Sequence, residues 1–432
     1  MASGGQGFEG NRIIERMLRN DIQGSSPEPS APEPLPGGAI VALSVAAFCS
    51  SSSVRMADAL LPHLAGEFHV SLAQSASAVT AFSVAYGLAQ LVFGPVGDRF
   101  GKYLVIAWAC AACAITAALC ALAPGFEMLV LARFIAGATC AAVVPLSMAW
   151  LGDVVPYENR QPVLARFLIG QLLGVSAGVM VGGFAADHLG WRTPFWGVSA
   201  AFVVICFVLL RLSKRLPEAA RATNRAPGHP IRRMVSEFGE VLSIAWARKL
   251  MATVFFEGVF LFGAFAFIAT HLHQSFGLTL ASAGAIVMLF GFGGVVFASL
   301  AGVLVRRLGE VRLALVGGSV VTASLIVIGC VPVWWVAMPA CLIGGLGFYM
   351  LHNTLQTNAT QMAPQRRGAA VSAFACCFFI GQAAGVAVAG VMATRFGTAP
   401  VIVVCACGVL GVALSFARAR AERLRVGGQL AA

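Results

Sequence analysis

Twelve apolar stretches of about 20 residues each run through this chain, and that is the length a helix needs to cross the hydrocarbon core of a bilayer. They lie near 39–62, 72–94, 103–123, 128–151, 162–184, 194–212, 247–270, 281–304, 312–331, 334–357, 369–392 and 398–417. Of the 432 residues, 59% are hydrophobic and 11% are charged, against about 25% charged in a soluble globular chain. The expected fold is an all-α membrane protein of 12 transmembrane helices. An even number of spans puts both termini on one face. Arg99, Lys102, Arg160, Arg306, Arg307, Arg312, Arg366 and Arg367 lie in loops of that face, as do six basic residues of the 213–246 loop (Lys214, Arg215, Arg221, Arg225, Arg232 and Arg233). The tail after 417 adds Arg418, Arg420, Arg423 and Arg425, whereas the opposite loops offer Arg192 and Arg395. The positive-inside bias therefore places both termini in the cytoplasm.

The net charge of +11 does not point to nucleic acid, because the basic residues sit between apolar runs. Residues 1–38 are polar, with P-E-P-S-A-P-E-P at 27–34, and read as a disordered cytoplasmic tail. Residues 8–19 have the pattern of a short surface helix. The expected division is a tail at 1–38, a six-helix bundle at 39–212, a basic linker at 213–246, a second six-helix bundle at 247–417 and a cytoplasmic tail at 418–432. Most of the twelve cysteines fall inside apolar runs without metal-ligand spacing, and all twelve read as small packing residues. No metal and no cofactor is expected.

Residues 94–102, G-P-V-G-D-R-F-G-K, separate the second and third apolar runs and read as a short loop. Gly94 and Gly101 would serve close helix approach and a positive-φ turn. Asp98, Arg99 and Lys102 are charges at a membrane face that need partners or head groups. The pattern G-x-x-x-D-R-x-G-K resembles the signature loop between helices 2 and 3 of the major facilitator superfamily, with Tyr103 where the family often has a basic residue. The resemblance implies two pseudo-symmetric six-helix bundles around a substrate site near the midplane. It also implies a monomer in the plasma membrane, the inner membrane of a bacterium. An acid at the end of helix 4, here Asp153, is then expected to join Asp98 and Lys102 in a charge cluster that latches the outward-open state.

The halves echo each other. Residues 302–310, G-V-L-V-R-R-L-G-E, repeat the signature stretch at an offset of 302 − 94 = 208, with Arg306 at the Asp98 position and Glu310 at the Lys102 position. I-G-Q-L-L-G-V at 169–175 returns as I-G-Q-A-A-G-V at 380–386. Span 5 carries Gly170, Gly174, Gly178, Gly182 and Gly183, whose spacing allows close helix packing. The series resembles the antiporter motif of the superfamily, with Val179 in place of its proline.

Of the 18 acidic residues, Asp58 and Glu257 lie inside apolar spans. A buried charge costs several kcal/mol unless it is paired, hydrated or protonated, so both are candidates for proton coupling. Asp58 lies about 11 Å from the centre of span 1 and Glu257 near the centre of span 7, at a rise of about 1.5 Å per residue. Arg55 precedes Asp58 by three residues, on the same helical face. D-A-L-L-P at 58–62 resembles the helix-1 acidic motif of drug:proton antiporters, and Arg133 in L-A-R-F-I-A-G matches the buried arginine on their helix 4. The resemblance places Arg55, Asp58, Arg133 and Glu257 around the cavity. Arg133 is expected to pair with Asp58, leaving Glu257 facing the pocket without an evident partner; a static Arg55–Asp58 pair is the alternative.

Span 10 adds Tyr349, His352, Asn353 and Gln356 as polar candidates, with His352 about 10 Å to the cytoplasmic side of its centre. Histidine there either titrates, bonds substrate or packs. Gln171 and Gln382, in the repeated segments, read first as amides that bond across helices and second as substrate contacts; Tyr86 and Gln90 in span 2 read alike. There is no G-x-x-x-x-G-K-[ST] loop and no nucleophile–base set, so neither an ATPase nor another enzyme is expected. The functional expectation is a secondary transporter exporting a small organic compound against protons. An organic-anion symporter or exchanger using Arg55 and Arg133 is the second reading, and a non-transporting receptor on the same scaffold is the third.

Overall fold

A computed structural model describes residues 37–221 and 230–430. The expected disordered tail, its 8–19 helix, its proline-rich segment and Arg225 lie outside the described residues. Within them the chain is helical. The first half comprises α1 (Gly37–Arg55), α2 (Leu61–Glu67), α3 (Leu72–Ser75), α4 (Ser77–Phe100), α5 (Lys102–Leu122), α6 (Phe126–Cys140), α7 (Val143–Val154), α8 (Tyr157–His188) and α9 (Thr193–Ser213). A linker helix α10 (Pro230–Ser243) leads to α11 (Ala245–Phe276), α12 (Leu280–Cys330), α13 (Ala337–Met362), α14 (Arg367–Phe396) and α15 (Thr398–Leu430).

Eleven helical stretches among the described residues are long and apolar enough to cross a membrane. One of them is α12, whose 51 residues would extend about 76 Å, far beyond a hydrocarbon core of about 30 Å. At Gly309 (φ 67°, ψ 169°) its backbone leaves the helical region. Alpha-12 is therefore two crossings joined at a kink, which restores the twelve expected spans. Gly101 (φ 89°) ends α4 in the same way, and 309 − 101 = 208 is the offset of the sequence echo. A side chain at either φ would clash, so glycine is what permits both turns.

Several boundaries differ from the sequence expectation. The 94–102 stretch is mostly helix, because α4 runs on through Pro95 to Phe100 and only Gly101 breaks it. A Cβ on Gly94 would meet nothing within 4 Å, so Gly94 serves no close approach. Span 1 is not one helix: α1 stops at Arg55, and a turn over Met56–Leu60 leads into α2. Span 4 likewise breaks at Ala141–Ala142 between α6 and α7. The last helix continues to Leu430, so the expected tail at 418–432 is largely helical. The expected linker loop contains α10, which buries Val241 and packs on α4, α11 and α14. Arg366, at the turn before α14, donates to Glu240 (2.8 Å) and Glu237 (3.4 Å) of that helix. The arginine holds the exposed Glu240 carboxyl below its ordinary range.

Within the first half α1 packs on α8, α4 on α6, and α5 on α9; within the second, α11 packs on α14 and α15, and α12 on α13 and α15. The halves meet along α4 with α14 and α8 with α12. The glycine series of α8 explains its closeness to α1. A Cβ at Gly174, Gly178 or Gly182 would lie 2.3, 2.5 or 2.1 Å from the carbonyl oxygens of Phe48, Ser52 and Met56. At Gly170 it would lie 2.9 Å from the Ser44 carbonyl oxygen, and Gly183 abuts the Leu280 carbonyl across the half-to-half interface. The second half repeats the device, with Gly381 and Gly385 of α14 seated on the Phe255 and Val259 carbonyls of α11. The repeated G-Q-x-x-G-V segments are thus packing surfaces.

Candidate functional site

The break after α1 is where polar groups gather. Arg55 is 4% exposed and Asp58 1%, and the turn brings Arg55 Nη1 to 3.4 Å from Asp58 Oδ2. The two are paired although they do not share a helix, as the alternative to an Arg133–Asp58 pair foresaw. Arg55 also reaches the other half: its Nη2 donates to Gln382 Oε1 at 2.9 Å. Its guanidinium lies 3.8 Å from the centroid of the Phe262 ring. Gln382, fully buried on α14, donates in turn to Ser83 Oγ of α4 at 2.7 Å. This one amide therefore ties α1, α4 and α14 together, the cross-helix role expected of it. Gln171, its repeat partner, is only half-buried on α8.

Arg133 does not pair with Asp58 here. Its Nη1 donates to the Ser53 carbonyl (3.0 Å) and its Nε to the Ala78 carbonyl (3.2 Å). Its guanidinium lies 4.1 Å from the Phe82 centroid. These two backbone carbonyls hold the guanidinium, and the short Arg55–Asp58 separation pairs one oxygen of the acid locally. Arg133 Nη2 and Asp58 Oδ1 are buried without a hydrogen-bond partner among the described residues.

Glu257 has a partner that the sequence reading missed. It is 1% exposed on α11, and its Oε2 lies 3.0 Å from His352 Nδ1 of α13. Its Oε1 has no partner among the described residues. The His352 ring, whose side chain is 15% exposed, lies among Phe348, Phe374 and Phe378, with centroids 5.1, 5.7 and 4.5 Å away. Asn353 is half-buried and Gln356 exposed, further along α13. Tyr86 lies against Phe379 of α14, with tilted rings and centroids 4.2 Å apart, and Gln90 is buried one turn along α4. A crevice of about 380 Å³ lies within the first half between α1, α8 and α9, lined by Phe48, Met180, Phe184 and Pro194; none of these polar candidates lines it.

The charge cluster expected at the signature stretch is present. Lys102 Nζ lies 3.0 Å from Asp98 and 2.6 Å from Asp153. Arg99 instead extends over the Phe100 ring at 5.3 Å. Because both aspartates are about half exposed, each pair contributes only about 0.2–1 kcal/mol. Lys102→Ala is therefore expected to lower the melting temperature by a few degrees at most, checked by a thermal shift in detergent.

The hydrogen bonds joining the halves among the described residues all lie between mid-span and the face opposite the linker. Besides the Gln382 bonds, Thr80 Oγ1 donates to the Ala383 carbonyl (3.5 Å), the Ala73 amide to Thr394 Oγ1 (3.1 Å) and the Ala281 amide to Asp187 (2.6 Å). These bonds join the two halves on that opposite face.

The sequence profile described as Major Facilitator Superfamily matches residues 43–386, most of the chain. The chain belongs to this superfamily. An uncharacterized MFS-type transporter of Bacillus subtilis, YceJ, is 25% identical over 349 residues, covering 79% of this chain and 86% of that one. The multidrug export protein EmrB of Escherichia coli is 27% identical over 201 residues, 45% of this chain and 39% of EmrB. Among solved structures, a bacterial homolog of the human lysosomal transporter Spinster, inward-facing and unoccupied, superposes with a TM-score of 0.71 at 18% identity. It covers 90% of this chain and 97% of its own. The protein is thus a multi-pass major facilitator transporter rather than an enzyme, distantly similar to multidrug efflux pumps.

Proposed function

We propose that this transporter exports a small organic compound in exchange for protons, by alternating access, with Glu257 as the proton carrier. The observation that carries this reading is the Glu257–His352 contact: a carboxyl sealed from water on one oxygen and bonded on the other to a histidine that retains partial exposure. A proton on Glu257 removes a charge from an apolar interior, and His352 gives it a hydrogen-bonded route outward. The phenylalanines around the pair supply an apolar surface for an amphiphilic substrate. The named activity of EmrB, multidrug export, agrees with this reading.

The arginine bias favours a cytoplasmic linker face, and on that orientation we read this conformation as the inward-facing one. Arg55, Asp58, Gln382 and Ser83 then form the closed outer gate. Both arginines are already engaged, Arg55 by Asp58 and Gln382, Arg133 by two carbonyls, which disfavours an anion-binding role in this state. The Lys102 cluster joins elements of one half and is intact while the outer face is closed. We therefore read it as a brace of that half rather than a lock on the outward-open state.

The test is proton movement in proteoliposomes challenged with lipophilic cations and with small organic acids. Substrate-triggered proton release with cations is expected. A response to acids alone would favour the anion exchanger, and no substrate-dependent flux in either panel would favour the receptor reading. The gate is tested separately. Gln382→Ala removes a charge-assisted bond and a neutral one, together about 2–4 kcal/mol of the closed state, so the amides of Ala73 and Ala281 are expected to exchange faster with deuterium by mass spectrometry. Unchanged exchange at both would remove Gln382 from the gate.

A further inference from the structure

The exchanged charges of the second-half echo remain unused by the transport reading. In the first half the turn at Gly101 is nearly balanced, since Asp98 and Asp153 flank Lys102. At the matching turn, Arg306, Arg307 and Arg312 surround Gly309 and all three are exposed. Glu310, in the place of Lys102, binds Arg420 of α15 at 2.9 Å and accepts a hydrogen bond from Asn358. That contact draws the last helix against the turn. The end of α15, with Arg418, Arg423 and Arg425 likewise exposed, therefore lies at the same end of the second half as the arginines of α12. Glu422 is an exposed acid on the same stretch of α15. Arg423 lies 4.7 Å from the ring of Trp246 at the start of α11, a residue type that settles at the membrane–water boundary.

We infer that the linker-face end of the second half, where α12 bends and α15 leaves the membrane, is a binding patch for the phosphate head groups of anionic phospholipids. Three physical facts support it. Six exposed arginines at one end of the half raise the local positive potential, which an anion relieves. Trp246 and the helix ends set them at head-group depth, where each basic residue attracts an anionic leaflet. Guanidinium groups pair with phosphate oxygens in bidentate fashion. What differs at this end is the turn itself, where the second half carries Arg306 in the place of Asp98. The patch would hold the ends of α11, α12 and α15 to the leaflet while the first half moves against them.

The test is native mass spectrometry of the full chain released from mixed micelles of phosphatidylglycerol and phosphatidylcholine. Wild type is expected to retain phosphatidylglycerol over phosphatidylcholine, and the triple variant Arg307→Gln, Arg418→Gln, Arg423→Gln to lose that preference by at least about tenfold. The matching triple lysine variant should keep most of it, which separates charge from fold. Arg395→Gln, on the opposite face, should leave it unchanged. Equal retention of the two lipids by wild type would overturn the inference, as would an undiminished preference in the glutamine variant. Displacement of the lipid by millimolar inorganic phosphate would assign the patch to a soluble anion instead.

Discussion

Substituting Glu257 by glutamine is expected to abolish substrate-driven proton movement, by roughly a hundredfold or more if the carboxyl is the transferring group. The change is nearly isosteric. Glutamine keeps a hydrogen bond to His352 Nδ1 and fills the space of a side chain that is 1% exposed, so the fold should survive and can be checked by its melting temperature. Substrate binding should persist while its dependence on pH disappears. His352→Ala is the informative companion: if histidine conducts the proton outward, exchange slows yet remains pH-dependent, because the carboxyl is intact. Glu257→Gln with wild-type pH dependence would sink the carrier assignment, and Asp58 would take its place.

The second large effect is steric. Valine at Gly182 would drive its Cβ to 2.1 Å from the Met56 carbonyl oxygen, a backbone atom that no rotamer change can move. Helices α1 and α8 must then separate, at a cost of roughly 3 kcal/mol, the upper end of overpacking. Met56 begins the turn that carries Asp58, so the gate contacts go with it. The expected outcome is a melting temperature lowered by several degrees together with lost transport. Gly94→Ala is the contrast. Its Cβ meets nothing and replaces a helical glycine, so it should be neutral or stabilise by about 0.5–1 kcal/mol. If Gly94→Ala were the more damaging of the two, the packing argument would fail.

Spans, the repeat and the Gly101 turn were legible because each is fixed locally, by apolar length, by offset or by a backbone angle that excludes side chains. The Asp98–Lys102–Asp153 cluster was reachable only through family resemblance. What escaped was pairing at a distance. Nothing near Glu257 in sequence announces His352, 95 residues away, and Gln382 meets Arg55 across 327 positions. Both contacts depend on how helices rotate about their axes, which an apolar face all round leaves undetermined. The Arg133–Asp58 expectation failed for a related reason. It compared depth along two intact helices, whereas span 1 breaks after Arg55, and the carbonyls of Ser53 in span 1 and Ala78 in span 2 take the guanidinium.

Those breaks also set how the two halves deform. Span 1 yields at Met56–Leu60 and span 4 at Ala141–Ala142, and Ser50 Oγ of α1 bonds the Cys140 carbonyl beside the second break. Their counterparts in the second half, α11 and α13, run 32 and 26 residues without interruption. Bending is cheap where the ladder of backbone bonds is already cut, and costly where it is whole. The second half is therefore the stiff lever of the molecule and the first its compliant hinge plate, so a cycle drawn as two rigid bodies rocking would misplace where the elastic work is done.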